Sequence, residues 1–214
     1  MNDQLIECVP NFSEGQRPEI IKQITDEIEK VEGVKLLDVD PGFDMNRTVV
    51  TFIGNAKAVK EAAFNSIKKA SELIDMNKHK GSHPRMGATD VCPFVPVSGI
   101  TTEECIELSK DVAKRVGDEL GIPIYLYEKS ATKPERENLA KIRQGEYEAL
   151  EEKLKTKDVQ NGENLNVEEI SEIYREANMI VREKMNLKLS TRGKTGEVED
   201  YLEIRRPLHQ GKQI

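Results

Sequence analysis

The 214-residue chain predicts an α+β fold: a ferredoxin-like α/β sandwich with a mixed or antiparallel sheet covered by helices, followed by a helical C-terminal extension. Three observations carry this expectation. The leading elements run strand, helix, strand, strand, helix, strand, an order in which helical crossovers return the chain to one sheet. The helical stretches repeat apolar residues three and four apart. The strand candidates are short β-branched runs bounded by turn formers.

Residues 5–9 form the first strand, closed by Pro10 and followed by a loop over residues 11–15. Pro18 suits a first helical turn, and Ile20, Ile21, Ile24, Ile28 and Val31 line the helix that Gly33 ends. Residues 34–39 and 48–53 read as strands, with turn formers between them at 40–47 and a stop at Gly54-Asn55. Val59, Ala63, Ile67, Ala70 and Ile74 mark a second helix. Residues 91–97 are extended, but Pro93 and Pro96 cannot donate ladder hydrogen bonds, which favours an edge or irregular strand. Thr101 and Glu104 make a capping box before a third helix with Cys105, Leu108, Val112 and Val116 on one side. Gly121-Ile-Pro ends it, and residues 124–127 read as a strand.

Beyond Glu128 charged residues dominate. Residues 134–154 are polar with helical spacing and 156–166 resemble a linker. Ile170, Ile173, Ala177, Ile180 and Val181 predict a further helix, and 198–204 a short strand or hairpin arm. Residues 1–155 are therefore expected to form one domain, with 156–214 a linker, helix and tail whose apolar helical face needs a surface to cover it.

Apolar residues make up 37% and charged residues 33% of the chain, a globular composition with a highly charged surface. The net charge of −7 speaks against nucleic acid as a partner, because phosphate neutralisation needs a broad basic face. Cys8, Cys92 and Cys105 are odd in number and lack paired spacing, so neither a disulfide framework nor a cysteine zinc site is expected. With no leader pattern at the start and no apolar run near the ~20 residues of a bilayer span, the expectation is a cytoplasmic protein without a membrane partner.

The chemistry concentrates in residues 75–90, Asp-Met-Asn-Lys-His-Lys-Gly-Ser-His-Pro-Arg-Met-Gly-Ala-Thr-Asp, which hold His79 and His83. Imidazole among Lys78, Lys80 and Arg85, on a backbone shaped by Gly81, Pro84 and Gly87, suits an anionic substrate that needs proton transfer near neutral pH. His79 and His83 have the spacing of two ligands on a helix, but Gly81 and Pro84 interrupt a helix and no glutamate completes the motif, so no metal is expected. Gly193-Lys-Thr lacks the upstream glycine of a phosphate loop.

Asp38 and Asp40 close a strand on the same side. Asp40, next to the 41–46 loop, is the candidate to orient an imidazole or to accept hydrogen bonds from a ligand; the alternative is a solvated turn cap. Asn11, Ser13 and Glu14 follow one strand and Asn46 and Arg47 precede another, where strand ends can converge on one pocket. Arg47 and Arg85 can each hold a carboxylate through a planar fork.

Glu-Cys-Val-Pro-Asn-Phe-Ser-Glu-Gly (7–15), Leu-Leu-Asp-Val-Asp (36–40), Asn-Arg-Thr-Val (46–49) and His-Lys-Gly-Ser-His-Pro-Arg-Met-Gly-Ala (79–88) occur in this order. They resemble the N-terminal subdomain of folate-dependent glutamate formiminotransferase, which also occurs fused to a cyclodeaminase. The likeness continues through Asp-Val-Cys-Pro-Phe-Val-Pro-Val (90–97) and Ile-Tyr-Leu-Tyr (124–127) to Gly-Glu-Tyr-Glu-Ala-Leu-Glu-Glu-Lys-Leu (145–154). It implies formimino transfer from N-formiminoglutamate to nitrogen 5 of the co-substrate tetrahydrofolate, in histidine degradation and one-carbon metabolism. It also implies a homodimer and folate held between two subdomains.

The family's base falls on His83. With Asp40 it forms the expected catalytic pair, while Asn11, Ser13, Glu14, Asn46, Arg47, His79, Lys80 and Arg85 form the expected substrate and folate contacts. No second subdomain follows Leu154 in recognisable form, so the expected transfer is carried out by this subdomain alone or as one half of the enzyme with a separate C-terminal-subdomain chain. A folate-binding or regulatory module without turnover, or an assembly protein using the C-terminal extension, are the competing expectations.

Overall fold

The computed structural model describes residues 4–155 and 212–213. Its elements are β1 (Leu5–Cys8), β2 (Asn11–Phe12), α1 (Pro18–Glu29), β3 (Val34–Gly42), β4 (Arg47–Gly54), α2 (Ala56–Leu73), β5 (Thr89–Val91), β6 (Phe94–Ser98), α3 (Thr102–Leu120), β7 (Ile124–Tyr125), α4 (Leu139–Ile142), α5 (Leu150–Lys155) and β8 (Lys212–Gln213). The architecture is α+β, with an antiparallel six-stranded sheet ordered β5-β2-β4-β1-β6 and β3 on the outer side of β4.

Prolines interrupt two of the lines of strand without ending them. Pro10 separates β1 from β2, yet its carbonyl accepts the Val50 amide at 2.9 Å, so both pieces follow β4. Pro93 separates β5 from β6, and its carbonyl accepts the Val9 amide at 3.2 Å. A proline removes a donor but keeps its acceptor, so the pairing resumes past it. Residues 11–12, expected in a loop, therefore belong to the sheet. β6 is an edge strand, as Pro93 and Pro96 suggested.

Alternation along β4 buries Thr48, Val50, Phe52 and Gly54. Ile6, Cys8 and Phe12 join them and meet Ile24 and Ile28 of α1, Val59, Ala63 and Ile67 of α2, and Leu108, Val112 and Val116 of α3 in one core. Burial of such side chains gives ~1.5–3 kcal/mol each, which is why these helical stripes fix the three helices to the sheet. On the opposite side Leu37, Val95 and Val97 are exposed.

Helix ends follow their local chemistry. The Thr101 side chain accepts the Glu104 amide while Glu104 returns to the Thr101 amide, and Gly121 closes α3 at φ 61°. Asn55 caps α2 through the Ala58 amide at 3.0 Å.

Residues 134–154 do not form the continuous helix that their spacing suggested. Short turns at Pro134–Arg136 and Tyr147–Ala149 flank α4 and precede α5, and the backbone breaks at Gly145 (φ 82°) and Glu146 (φ 53°). Ile142 and Leu150 instead close a small second core with Met86 and Tyr125. The short β8 lies parallel to β7. The linker, helix and arm expected within 156–204 fall outside the described residues. Among the described residues no helix is long and apolar enough to cross a membrane.

Candidate active site

The histidine loop is clamped from two sides. Ser13 donates its amide to the Ala88 carbonyl at 2.9 Å and its hydroxyl to the Gly87 carbonyl at 2.6 Å, fixing the end of the loop to β2. On the other side stands Asn46, in the left-handed region at φ 48°. Its Oδ1 accepts the Gly15 amide at 2.9 Å, its Nδ2 donates to the Lys80 carbonyl at 2.8 Å, and its own carbonyl lies 2.8 Å from His79 Nε2. Gly81 presses so closely on this turn that a Cβ there would meet the Met45 carbonyl oxygen at 2.2 Å.

His79 is thereby a strut. Its only possible role toward a carbonyl is as donor, so Nε2 carries the proton. Burial pushes its pKa down, against the bond to Asn46 that pulls it up. Glu14, also buried, accepts the amides of Gln16 and Arg17 on Oε1 at 2.9 Å each and Arg17 Nε on Oε2 at 2.6 Å, which secures the start of α1. Asn11 is buried on β2 and donates Nδ2 to the Val9 carbonyl at 2.9 Å. Lys80 is exposed, with its carbonyl taken by Asn46.

His83 occupies the position of most chemical interest. Its Nε2 lies 3.8 Å from Asp90 Oδ2 and has no hydrogen-bond partner among the described residues. Asp90 is 0% exposed. It falls where the β2–β5 register shifts, since Asn11 pairs with Val91 and Phe12 with Thr89. The carboxylate accepts the Met86 amide at 2.9 Å and forms an ion pair with Arg143 Nη2. Burial pushes its pKa up, but His83, Arg143 and the Met86 amide outweigh burial and hold it below the ordinary value.

Arg47, at the start of β4, completes the group. Burial lowers its pKa, Asp90 opposes that change and Arg143 adds to it. Its Nε is buried with no hydrogen-bond partner among the described residues. The cluster thus holds one imidazole, one buried carboxylate and two guanidiniums, an arrangement able to relay a proton beside a bound anion.

Arg85 is differently employed. Its Nη1 reaches Glu146 at 2.8 Å and its Nη2 reaches Glu148 at 2.6 Å, so its fork already holds the 146–148 turn. Asp40 is exposed on β3 opposite Val49, with Asp38 on the same face opposite Thr51. Among the described residues no hydrogen bond or ion pair joins Asp40 to His83; the carboxylate beside that ring is Asp90. Sequence reading passed over Asp90 and Arg143. The available signal was a carboxylate set in the apolar, extended 88–92 run, where burial demands a cation; for Arg143, in a polar stretch, there was none. Among the described residues no group of three potential ligands is arranged to hold a metal.

The sequence profile of the formiminotransferase domain, N-terminal subdomain, matches residues 5–172. The chain is 55% identical over 155 residues to a glutamate formimidoyltransferase of Streptococcus pyogenes serotype M1, a span covering 72% of this chain and 52% of that protein. It is 56% identical over 153 residues to a formimidoyltransferase-cyclodeaminase of Dictyostelium discoideum, covering 72% and 28% respectively. A glutamate formimidoyltransferase of Thermoplasma acidophilum is 49% identical over 153 residues, 71% of this chain and 50% of its own length. The matched region spans about half the length of these formimidoyltransferases. With its histidine loop clamped between β2 and the β3–β4 turn, the chain belongs to the formiminotransferase N-terminal subdomain family.

Proposed function

We propose that the chain supplies the N-terminal half of a glutamate formiminotransferase, moving a formimino group from N-formiminoglutamate to nitrogen 5 of tetrahydrofolate. The observation that carries this is the approach of His83 to buried, ion-paired Asp90, beside Arg47 with its unpartnered Nε. The strand order, with β1–β2 and β5–β6 each taken as one interrupted strand, supports reading the fold as ferredoxin-like.

In this reading His83 takes the proton from nitrogen 5 as that nitrogen attacks the amidine carbon, then returns it to the departing glutamate nitrogen. A new carbon–nitrogen bond forms and the bond to glutamate breaks, with no net change in protons. Asp90 orients the imidazole and balances its charge during the step. Arg47 takes a substrate carboxylate, and Asp40, exposed on the same sheet, is available to the folate ring. Ser13, Asn46 and His79 act by holding the loop, Asn11 by bracing the backbone at Val9 and Glu14 by securing the start of α1; Lys80 and Arg85 stand at the rim of the loop. The reading extends to a cytoplasmic homodimer in which folate lies between this subdomain and a second one.

One further reading of the same cluster is a folate-binding module without turnover. Both are tested by assaying transfer with the chain alone and with the second half of the streptococcal relative added. We expect turnover on addition. Folate binding without turnover in either mixture would select the module, and absence of folate binding would overturn both. In the same assay Arg47→Ala is expected to weaken anionic substrates by ~1.5–3 kcal/mol, the range for a hydrogen bond to a charged group. Arg85→Ala should cost less, because Glu146 and Glu148 already hold its donors.

A further inference from the structure

A cavity of about 360 Å3 lies between β7 and the turns that follow it, lined by Tyr125, Glu135, Arg136, Lys141, Gln144 and Lys153 around Ile142. That volume is in the range of small-molecule pockets. It shares no lining residue with the His83 cluster. The two are nonetheless neighbours through α4, because Ile142 borders the cavity while the next residue, Arg143, reaches Asp90.

The charge of the cavity is opposite to that of the chain. Three cations and one carboxylate line it, whereas the whole protein carries −7. Its anchor is Arg136, only 5% exposed. The guanidinium lies 5.4 Å from the Tyr125 ring centre and Nη1 reaches Thr132 Oγ1 at a long 3.4 Å. Nη2 is buried without a hydrogen-bond partner among the described residues. Lys153 is drawn to the same place, donating to the Ile142 carbonyl at 2.7 Å, and burial lowers its pKa. A buried guanidinium with an unused donor is rare unless something accepts from it.

We propose that this cavity is a binding site for a small oxyanion, a carboxylate or phosphate group, gripped by Arg136 with Lys141 and Lys153. The planar fork of Arg136 supplies directional donors and the two ammonium groups supply charge, the combination that selects oxyanions over neutral ligands. Glu135 and Lys141 are both exposed, so a ligand can enter from solvent.

The test is titration of the full chain with inorganic phosphate and, separately, with citrate at constant ionic strength, following amide chemical shifts of residues 134–144. Saturable shifts with at least one anion are expected, and the anion that binds assigns phosphate or carboxylate chemistry. Arg136→Gln should weaken that binding at least about tenfold, the scale of one charge-assisted hydrogen bond. Should Arg136→Gln not fold, the exposed Lys141→Glu keeps the test: charge reversal there should weaken binding by about as much. Arg47→Gln, at the other cluster, should leave the affinity unchanged. Absence of saturation with both anions, wild-type affinity in the folded cavity variants, or loss of binding in Arg47→Gln alone would overturn the site.

Discussion

Replacing His83 with alanine is expected to lower formimino transfer ~100- to 10,000-fold, the usual contribution of a positioned general base, while folate affinity stays within about tenfold of wild type. The imidazole is the one titratable ring of the loop whose Nε2 is not engaged by a backbone group, since His79 gives its own to the Asn46 carbonyl. Removing it takes away a proton acceptor and leaves the loop clamps at Ser13 and Asn46 in place. The reconstituted enzyme, assayed at saturating folate, gives the result as a fall in kcat. His79→Ala provides the contrast: it empties a buried position, so its loss should appear as lowered stability together with lowered activity. Wild-type turnover by the His83 variant would remove the base assignment.

The fold was legible wherever one period dominated. Thr48, Val50 and Phe52 alternate with less buried neighbours, and Ile20, Ile24 and Ile28 repeat on one helical face, so local pattern and tertiary burial agree. It was not legible at Asn11-Phe12, where a preceding proline and following polar residues mimic a loop. The sheet continues there because Val50 needs an acceptor and the Pro10 carbonyl is beside it. Nor was it legible over 134–154, where helical spacing hides a backbone broken at Gly145 and Glu146.

The candidate site divides in the same way. A loop with two histidines and three cations is visible as composition, but spacing cannot tell a strut from a reactive ring. That distinction rests on the Asn46 carbonyl, 33 positions away in sequence from His79. Likewise Arg85 looks free until Glu146 and Glu148 arrive from 61 and 63 positions away. Of the paired carboxylates Asp38 and Asp40, the sequence favours Asp40 because it adjoins a loop, the usual home of functional groups. A carboxylate buried in a strand irregularity has a different origin: it is retained where a cation and an amide meet its charge.

Asp90→Asn is accordingly expected to destabilise the fold by ~3–5 kcal/mol at neutral pH, the cost of leaving the other member of a buried ion pair without its counter-charge. The amide can still accept from Met86, so the loss isolates the charge. It leaves Arg143 without its ion-pair partner and removes the negative charge that offsets the repulsion between Arg143 and Arg47. The pH dependence has a definite sign. Because the folded carboxyl titrates below its ordinary value of 3.8, its contribution is complete above that pH and declines as pH falls from there through the depressed folded value. The wild-type and variant denaturation curves should therefore be far apart at neutral pH and converge only in strong acid. A double-mutant cycle with Arg143→Met assigns the effect to the pair, since substitution of both should cost less than the sum of the two alone. Additive losses, or equal denaturation midpoints at neutral pH, would show that Asp90 does not hold this corner of the site together.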